Sequence, residues 1–337
     1  PRERALALPR QKGSGTIMKR LVSVFYRDFA EIQQLNDQAR KYALSKGIEY
    51  EWIKIHPFDQ EKIIAALADA DAGLIDCEVY DKKIFSRINQ RNHLLIRYGV
   101  GYDAVNLEDA KAYGIKVART QGANATGVAE MALAMILALK RDILHAHIQN
   151  GQWNPGCIGH EVTGSTVGIL GFGAVGRTLA RLLSGFDCKI LAYDTYQDHA
   201  AAEMLGVTFA DPETIFRQAD AISVHLALNA DTDRMINQKL LGLMKPTAVI
   251  INTARGGLVN DEDLLSALKE ERISGAGLDV FSSEPLPPQS EYHQMKNVIL
   301  TSHIASSTME SFGNIYTAAI DIAANVFEGR EDPRILG

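Results

Sequence analysis

Three charged residues stand at the ends of strand-like apolar runs in the second half of the chain. Arg255 follows "AVIINTA", Glu284 follows "GAGLDVF", and His303 closes "NVILTSH". Hydride delivered to a carbonyl carbon leaves negative charge on oxygen, and a nearby acid must supply the proton. Histidine titrates near neutrality and serves in both directions. A carboxylate beside the ring orients it and favours imidazolium, as Glu284 would for His303. Arginine grips a carboxylate and polarises the carbonyl next to it, the part open to Arg255. The plainer alternatives are a surface ion pair for Arg255 and Glu284 and, for His303 alone, a core histidine.

A second motif changes that balance. "GILGFGAVGR" places Gly171, Gly173 and Gly176 in G-x-G-x-x-G spacing, after the apolar run "TVGIL" and at the opening of a helical pattern. Gly171 permits a tight turn, Gly173 lets backbone approach a pyrophosphate, and Gly176 lets helix and strand pack closely. The N–H groups around Ala174 and Val175 are then expected to face the phosphates at the positive end of the helix. An acid to hold the ribose hydroxyls belongs about 20 residues on, at the end of the next strand, and Asp194 ends "KILAYD". Its charge repels the extra phosphate of NADP, so NAD is the expected cofactor.

The elements that would position these groups follow from periodicity. From Lys19 onward, short apolar runs such as "RLVSVFY", "AGLIDC" and "IKVART" alternate with stretches of helical spacing, and a second such series starts at Thr166. That rhythm predicts an α/β protein of doubly wound parallel sheets. Ligands bind beyond the carboxyl ends of such strands, so Arg255, Glu284 and His303 can converge beside the dinucleotide. Between the series, a long helix is expected over Thr126 to Gln149, closed by Asn150-Gly151 and apolar nearly all round in its first half. Such a helix needs cover on several sides and suits a subunit interface. The last helix, "STMESFGNIYTAAIDIAANVFEG", is expected to fold back onto the first series.

Composition narrows the class. The 337 residues are 46% hydrophobic and 23% charged, with Lys+Arg 35 against Asp+Glu 41 and a formal net charge of -6. Nucleic-acid binding needs a concentrated cationic surface, which is missing, so a small-molecule partner is favoured. Cys77, Cys157 and Cys188 are an odd, scattered set, which points to a reducing, cytoplasmic setting. The apolar run at 128–139 is too short to span a bilayer and is broken by Glu130. No His/Cys/Asp cluster has ligand spacing, and His145 and His147 are two apart on a helix, so no metal is expected. Residues 1–17, "PRERALALPRQKGSGTI", read as a leader or cloning remnant.

"GILGFGAVGR", "INTARGGLVNDEDLLSAL", "GAGLDVFSSEPLP" and "HIASST" together resemble the signature stretches of the NAD-dependent D-isomer-specific 2-hydroxyacid dehydrogenases. The resemblance implies two Rossmann-like domains. Residues 18–118 and 306–337 would form a discontinuous substrate domain, and residues 119–305 the NAD domain, with a homodimer built through the long helix. It further implies that Arg255 binds the substrate carboxylate and carbonyl, His303 is the acid/base, and Glu284 is its partner. Asp279 matches the residue that holds the nicotinamide carboxamide, with Thr253 and Ala254 on the ring's far side. "HLALNADTDRMIN" brings Leu226 and Thr232 to the adenosine half. "RYGVGYDAVN" resembles the substrate loop, where N–H groups near Gly99, Val100 and Gly101 would cradle the carboxylate and Tyr98 would shape the pocket. The implied activity is interconversion of a small 2-oxo acid and its D-2-hydroxy acid, of the glyoxylate or hydroxypyruvate reductase type. An NAD-sensing, corepressor-like binding protein and a phosphite dehydrogenase share the triad and are the rival readings. Three departures stand out: Ala174 where a larger, often basic residue is common, Ala227 for a proline, and Ser302 for the proline before the histidine.

Overall fold

The first series runs β1 (Lys19–Val24), α1 (Ala30–Ser45), β2 (Ile48–Ile53), α2 (Gln60–Ala68), β3 (Ala72–Ile75), α3 (Lys82–Ile88), β4 (Leu94–Arg97), α4 (Leu107–Ala112) and β5 (Lys116–Arg119). This computed structural model describes residues 18–26, 30–76, 78–146, 153 and 156–337; residues 1–17 and Cys77 therefore lie outside the described residues. Successive strand residues point to opposite faces, and both faces are buried. Leu21 of β1 packs with Leu74, Ile96, Ile32 and Phe312 on one side. Its neighbour Val22 packs with Ile75, Leu95, Ile63 and Phe85 on the other. Asp59, Asp81 and Asn106 cap α2, α3 and α4, each accepting from a first-turn N–H.

The helix after β5 is shorter than expected. α5 covers Ala125–Lys140, and a separate turn, α6, covers Ile143–Ala146. The break has a local cause. The Lys140 carbonyl accepts from the His160 N–H at 2.6 Å. The buried ammonium of Lys140 donates to the Thr247 carbonyl at 3.3 Å. Asp142 then turns left-handed, with φ of 52°, and its carbonyl accepts from His145 and Ala146. The remainder of the expected helix, 147–149, its Asn150-Gly151 stop and His147 lie outside the described residues.

The second series is β6 (Thr166–Leu170), α7 (Ala174–Leu183), β7 (Lys189–Tyr193), α8 (His199–Met204), β8 (Val207–Phe209), α9 (Pro212–Gln218), β9 (Ala221–Val224), α10 (Gln238–Leu241), β10 (Val249–Asn252), α11 (Asp261–Lys269), β11 (Gly275–Leu278) and β12 (Val298–Leu300). Its seven strands are parallel and lie in the order β12-β11-β10-β9-β6-β7-β8. One face is covered by α5 and α7 through Ala132, Met135, Ile136, Leu179 and Leu183. Gly277 of β11 lies directly under Met135, where an added Cβ would meet the sulfur at 3.0 Å.

After β12, α12 (Met309–Phe327) starts at Thr308, whose hydroxyl accepts from the Ser311 N–H. Its Phe312, Tyr316, Ile320 and Ala323 complete the first core, as the apolar pattern predicts. A final strand, β13 (Ile335–Leu336), pairs antiparallel with β5, giving a first sheet of order β13-β5-β4-β3-β1-β2. The short β8 and β13 and the single-turn α10 are additions to the expected elements. Each is too brief to show a period in sequence. Among the described residues, no helix is long and apolar enough to cross a membrane.

Candidate active site

Strands β10, β11 and β12 are neighbours, and their carboxyl ends deliver Arg255, Glu284 and His303 to one edge of the second sheet. His303 Nδ1 lies 2.7 Å from Glu284 Oε2. The other carboxylate oxygen accepts from the Phe281 N–H at 3.0 Å, which fixes the direction of Glu284. The hydrogen bond and charge of Glu284 raise the His303 pKa above the usual 6.5, against burial and the nearby Arg255 cation, which act to lower it. For Glu284, burial pushes upward but is outweighed by His303, the Phe281 N–H and Arg255, so its pKa falls below the usual 4.5. His225 is a useful contrast at the end of β9: burial pushes it down to about 3, and its Nε2 meets Ser223 Oγ at 2.8 Å. It is a neutral structural histidine; His303 is about half-buried, and Glu284 inclines it to carry charge.

His303 itself sits in the left-handed region, with φ of 53°, unusual for a residue with a side chain. Asp279 holds it there. The Asp279 carbonyl accepts from the His303 N–H at 2.9 Å. Its carboxylate accepts from Thr301 Oγ1 at 2.5 Å, the Ile304 N–H at 2.8 Å and the Ala305 N–H at 2.9 Å. Asp279 therefore has a structural part in holding the His303 loop. The residue is 0% exposed, and both carboxylate oxygens accept from the His303 loop. Ser302, between Thr301 and His303, is exposed.

Arg255 starts a 3-10 turn directly after β10. Its main chain is clamped by buried Asn252, which donates to the Arg255 carbonyl at 2.9 Å and accepts from the Ala254 N–H at 3.0 Å. Gly256 follows because a Cβ there would lie 1.9 Å from the Phe281 carbonyl carbon. Arg255 Nη1 donates to the Ala254 carbonyl at 2.8 Å, and Nε donates to Asp103 at 3.1 and 3.4 Å. Asp103 belongs to the loop after β4, so the pair joins the edges of the two sheets.

That loop carries Gly99, Val100 and Gly101. The Gly99 N–H is already spent on Thr120 Oγ1 at 2.8 Å, which removes it from the expected cradle. The N–H groups of Val100 and Gly101 face no acceptor among the described residues. Buried Arg97 supports the turn, with Nε on the Gly101 carbonyl at 2.8 Å and Nη1 on the Ile75 carbonyl at 3.2 Å. Tyr98 departs from its expected place. Its ring stacks on Phe25 at 4.9 Å and contacts Phe312 and Tyr316, so it belongs to the core of the first series. The cluster of Phe25, Phe312 and Tyr316 holds it there instead of in the cleft.

The glycine loop has the form a dinucleotide needs. Gly171 has φ of 100°, and a Cβ there would lie 2.5 Å from the His225 carbonyl carbon, beside Leu226. A Cβ on Gly176 would lie 2.1 Å from the Gly171 oxygen, which enforces the close packing of α7 on β6. Gly173 has open space around it, and no side chain caps α7, so the first amides, at Ala174 and Val175, are open to an anion. Arg177 donates to the Phe172 carbonyl of the glycine loop and pairs with Asp198. Asp194 ends β7 and accepts from the Phe172 N–H at 2.7 Å and the Tyr196 N–H at 3.1 Å. Thr253 Oγ1 is buried without a hydrogen-bond partner beside Arg255, an orphaned group of the kind a bound cofactor satisfies. Thr232 instead spends its hydroxyl on its own loop, donating to the Ala227 carbonyl at 2.7 Å and accepting from the Asn229 N–H at 2.9 Å. That tie replaces the stiffness a proline at 227 would supply. No group of three or more His, Cys, Asp or Glu among the described residues could hold a metal ion.

Residues 133–305, which span the whole second sheet and the second half of α5, match the family described as D-isomer specific 2-hydroxyacid dehydrogenase, NAD binding domain. The chain belongs to the D-isomer specific 2-hydroxyacid dehydrogenase family. It is an NAD-dependent enzyme of that family, and the two sheets, parallel apart from β13, are those of its two-domain fold. The 2-hydroxyacid dehydrogenase character extends beyond the matched region. A glyoxylate reductase of Thermofilum pendens is 36% identical over 294 residues, which cover 83% of this chain and 85% of that protein. A glyoxylate reductase of Thermococcus litoralis is 40% identical over 228 residues, covering 65% and 69%. The apo-structure of D-lactate dehydrogenase from Escherichia coli superposes with a TM-score of 0.80 at 27% identity, covering 94% of this chain and 100% of that one. Within this 2-hydroxyacid dehydrogenase, Asp103, Arg97, Thr301 and Thr120 are the supporting residues that the sequence reading passed over. Asp103 had one available signal, an acid in the substrate loop quoted for its glycines.

Proposed function

We propose that this 2-hydroxyacid dehydrogenase reduces a small 2-oxo acid, of the glyoxylate or hydroxypyruvate type, to the D-2-hydroxy acid. The observation that carries the reading is the His303–Glu284 pair with Arg255 beside it at the joined strand ends. Bound NADH supplies the hydride that reaches the carbonyl carbon. Arg255 holds the substrate carboxylate through its Nη groups, together with the N–H groups of Val100 and Gly101. Glu284 occupies His303 Nδ1, so Nε2 is the nitrogen that carries the proton to the carbonyl oxygen. Gly171, Gly173, Ala174, Val175 and Gly176 receive the pyrophosphate, Asp194 the ribose hydroxyls, and Thr253 and Ala254 flank the nicotinamide. In this reading residues 18–118 and 306–337 act as the substrate domain and 119–305 as the NAD domain.

The glyoxylate reductase names of the relatives support the substrate size. The test is NADH consumption with glyoxylate, hydroxypyruvate, pyruvate, phenylpyruvate and 2-oxoisocaproate side by side. Preference for glyoxylate or hydroxypyruvate supports the proposal; a preference for pyruvate, phenylpyruvate or 2-oxoisocaproate overturns it. We also infer a homodimer through the α5 region, supported by the exposed apolar side chains of Ile143, Leu144, Trp153 and Ile158 near its end. Light scattering at the mass of a monomer would contradict that inference.

A further inference from the structure

We propose that Asp103 is a positioning residue for the reaction: it fixes the guanidinium of Arg255 across the cleft so that its Nη edge meets the substrate carboxylate. The inference rests on the reading of Arg255 as the carboxylate-binding residue. A guanidinium has five N–H donors in one plane. Here Nε is taken by Asp103 and one Nη1 hydrogen by the Ala254 carbonyl, which fixes both the position and the tilt of the plane. The Nη2 end is left over Gly101, where a Cβ would lie 1.5 Å from the nitrogen. Gly101 is thus packed between the Arg255 fork and Asp103 Oδ1, which a Cβ would meet at 3.1 Å. The Nη2 end of Arg255 therefore lies against the loop that carries the N–H groups of Val100 and Gly101.

The support for Asp103 is itself rigid. Arg97 is 5% exposed, and its bonds to the Gly101 and Ile75 carbonyls tie the loop to β3 and β4. Tyr102 accepts the turn back into the first series through its carbonyl, bonded by the Val105 N–H at 2.8 Å. The charges of Arg255 and Arg97 outweigh burial and hold the Asp103 carboxyl below its usual range, so it is ionised throughout the working pH range. The Asp103 side chain is half exposed, and an ion pair in that setting adds little to stability. What it supplies is direction: without it, Arg255 could swing its fork away from the loop, and the two sheets would lose this polar link across the cleft.

The experiment compares the wild type with Asp103→Asn, Asp103→Ala, Arg255→Ala and the Asp103→Ala/Arg255→Ala pair, using NADH and glyoxylate. Asp103→Asn and Asp103→Ala should raise the glyoxylate KM about tenfold, with kcat falling less and the NADH KM within about twofold of wild type. The melting temperature should be unchanged. The pair should lose no more than Arg255→Ala alone, because Asp103 acts only through that arginine. An unchanged or lowered glyoxylate KM in both Asp103 variants, with Arg255→Ala still impaired, overturns the positioning role and leaves the Arg255 reading intact. An Arg255→Ala enzyme that keeps its glyoxylate KM, or a wild type without 2-oxo acid turnover, overturns the reading and this inference with it.

Discussion

His303 Nδ1 and Glu284 Oε2 are 2.7 Å apart, and they come from loops after adjacent parallel strands. The pairing decides which nitrogen does chemistry and in which charge state. Reduction needs the imidazolium. Because Glu284 raises the His303 pKa above 6.5, the active form is complete below that value and is lost as pH rises through the raised one. Glu284→Gln removes the charge and keeps the shape, so the alkaline limb of kcat/KM should move to lower pH. A limb that stays in place, measured over a full pH–rate profile, would contradict this assignment.

Asp279 should prove essential for a structural reason that ends at the catalytic ring. Replacing it with Asn puts an NH2 group where three donors converge, so one N–H or hydroxyl loses its acceptor. A cost of about 2–4 kcal/mol in unfolding free energy is expected. Turnover should fall by about 10²-fold or more as His303 leaves its left-handed position. Urea unfolding and steady-state rates check the two parts separately.

Gly101→Ala separates site from fold. The new Cβ would strike the far end of a flexible side chain, Arg255 Nη2, and no backbone atom comes as near. The melting temperature should hold within a few degrees, while the 2-oxo acid KM rises about tenfold or more. Equal KM values for mutant and wild type would remove Arg255 from the substrate site.

Asp194→Ser should weaken NADH and relieve the repulsion of a 2′-phosphate. The ratio of NADH to NADPH efficiency should fall by about 10²-fold. The NADH term carries an added loss, since Asp194 also accepts from the Phe172 N–H of the glycine loop. Comparison of kcat/KM for both cofactors in the variant and the wild type checks it.

Much of this arrangement is legible in the chain because its signals are local. The G-x-G-x-x-G spacing, the acid ending "KILAYD" and the charged residues ending apolar runs are each readable within a dozen positions, and the structure places them at one sheet edge. What escapes is settled by distant partners. Asp103 meets Arg255 across 152 positions, and no periodicity joins them. Asp279 sits in a signature stretch, yet only the fold shows its carboxylate turned toward Ile304 and Ala305. The Gly99 amide looked available until Thr120 closed on it. The α5 helix ends early because His160 and Thr247, both outside it, bind Lys140. The loop at Ala227, which lacks the expected proline, is tied instead by the Thr232 hydroxyl.

The central claim is that His303 carries the proton in reduction of a small 2-oxo acid. The most direct measurement is glyoxylate-dependent NADH consumption by His303→Gln, alongside NADH binding followed by nucleotide fluorescence. The account predicts a loss of kcat of about 10³-fold or more with NADH affinity within about threefold of wild type. Turnover within about tenfold of wild type, with NADH still bound, would contradict it.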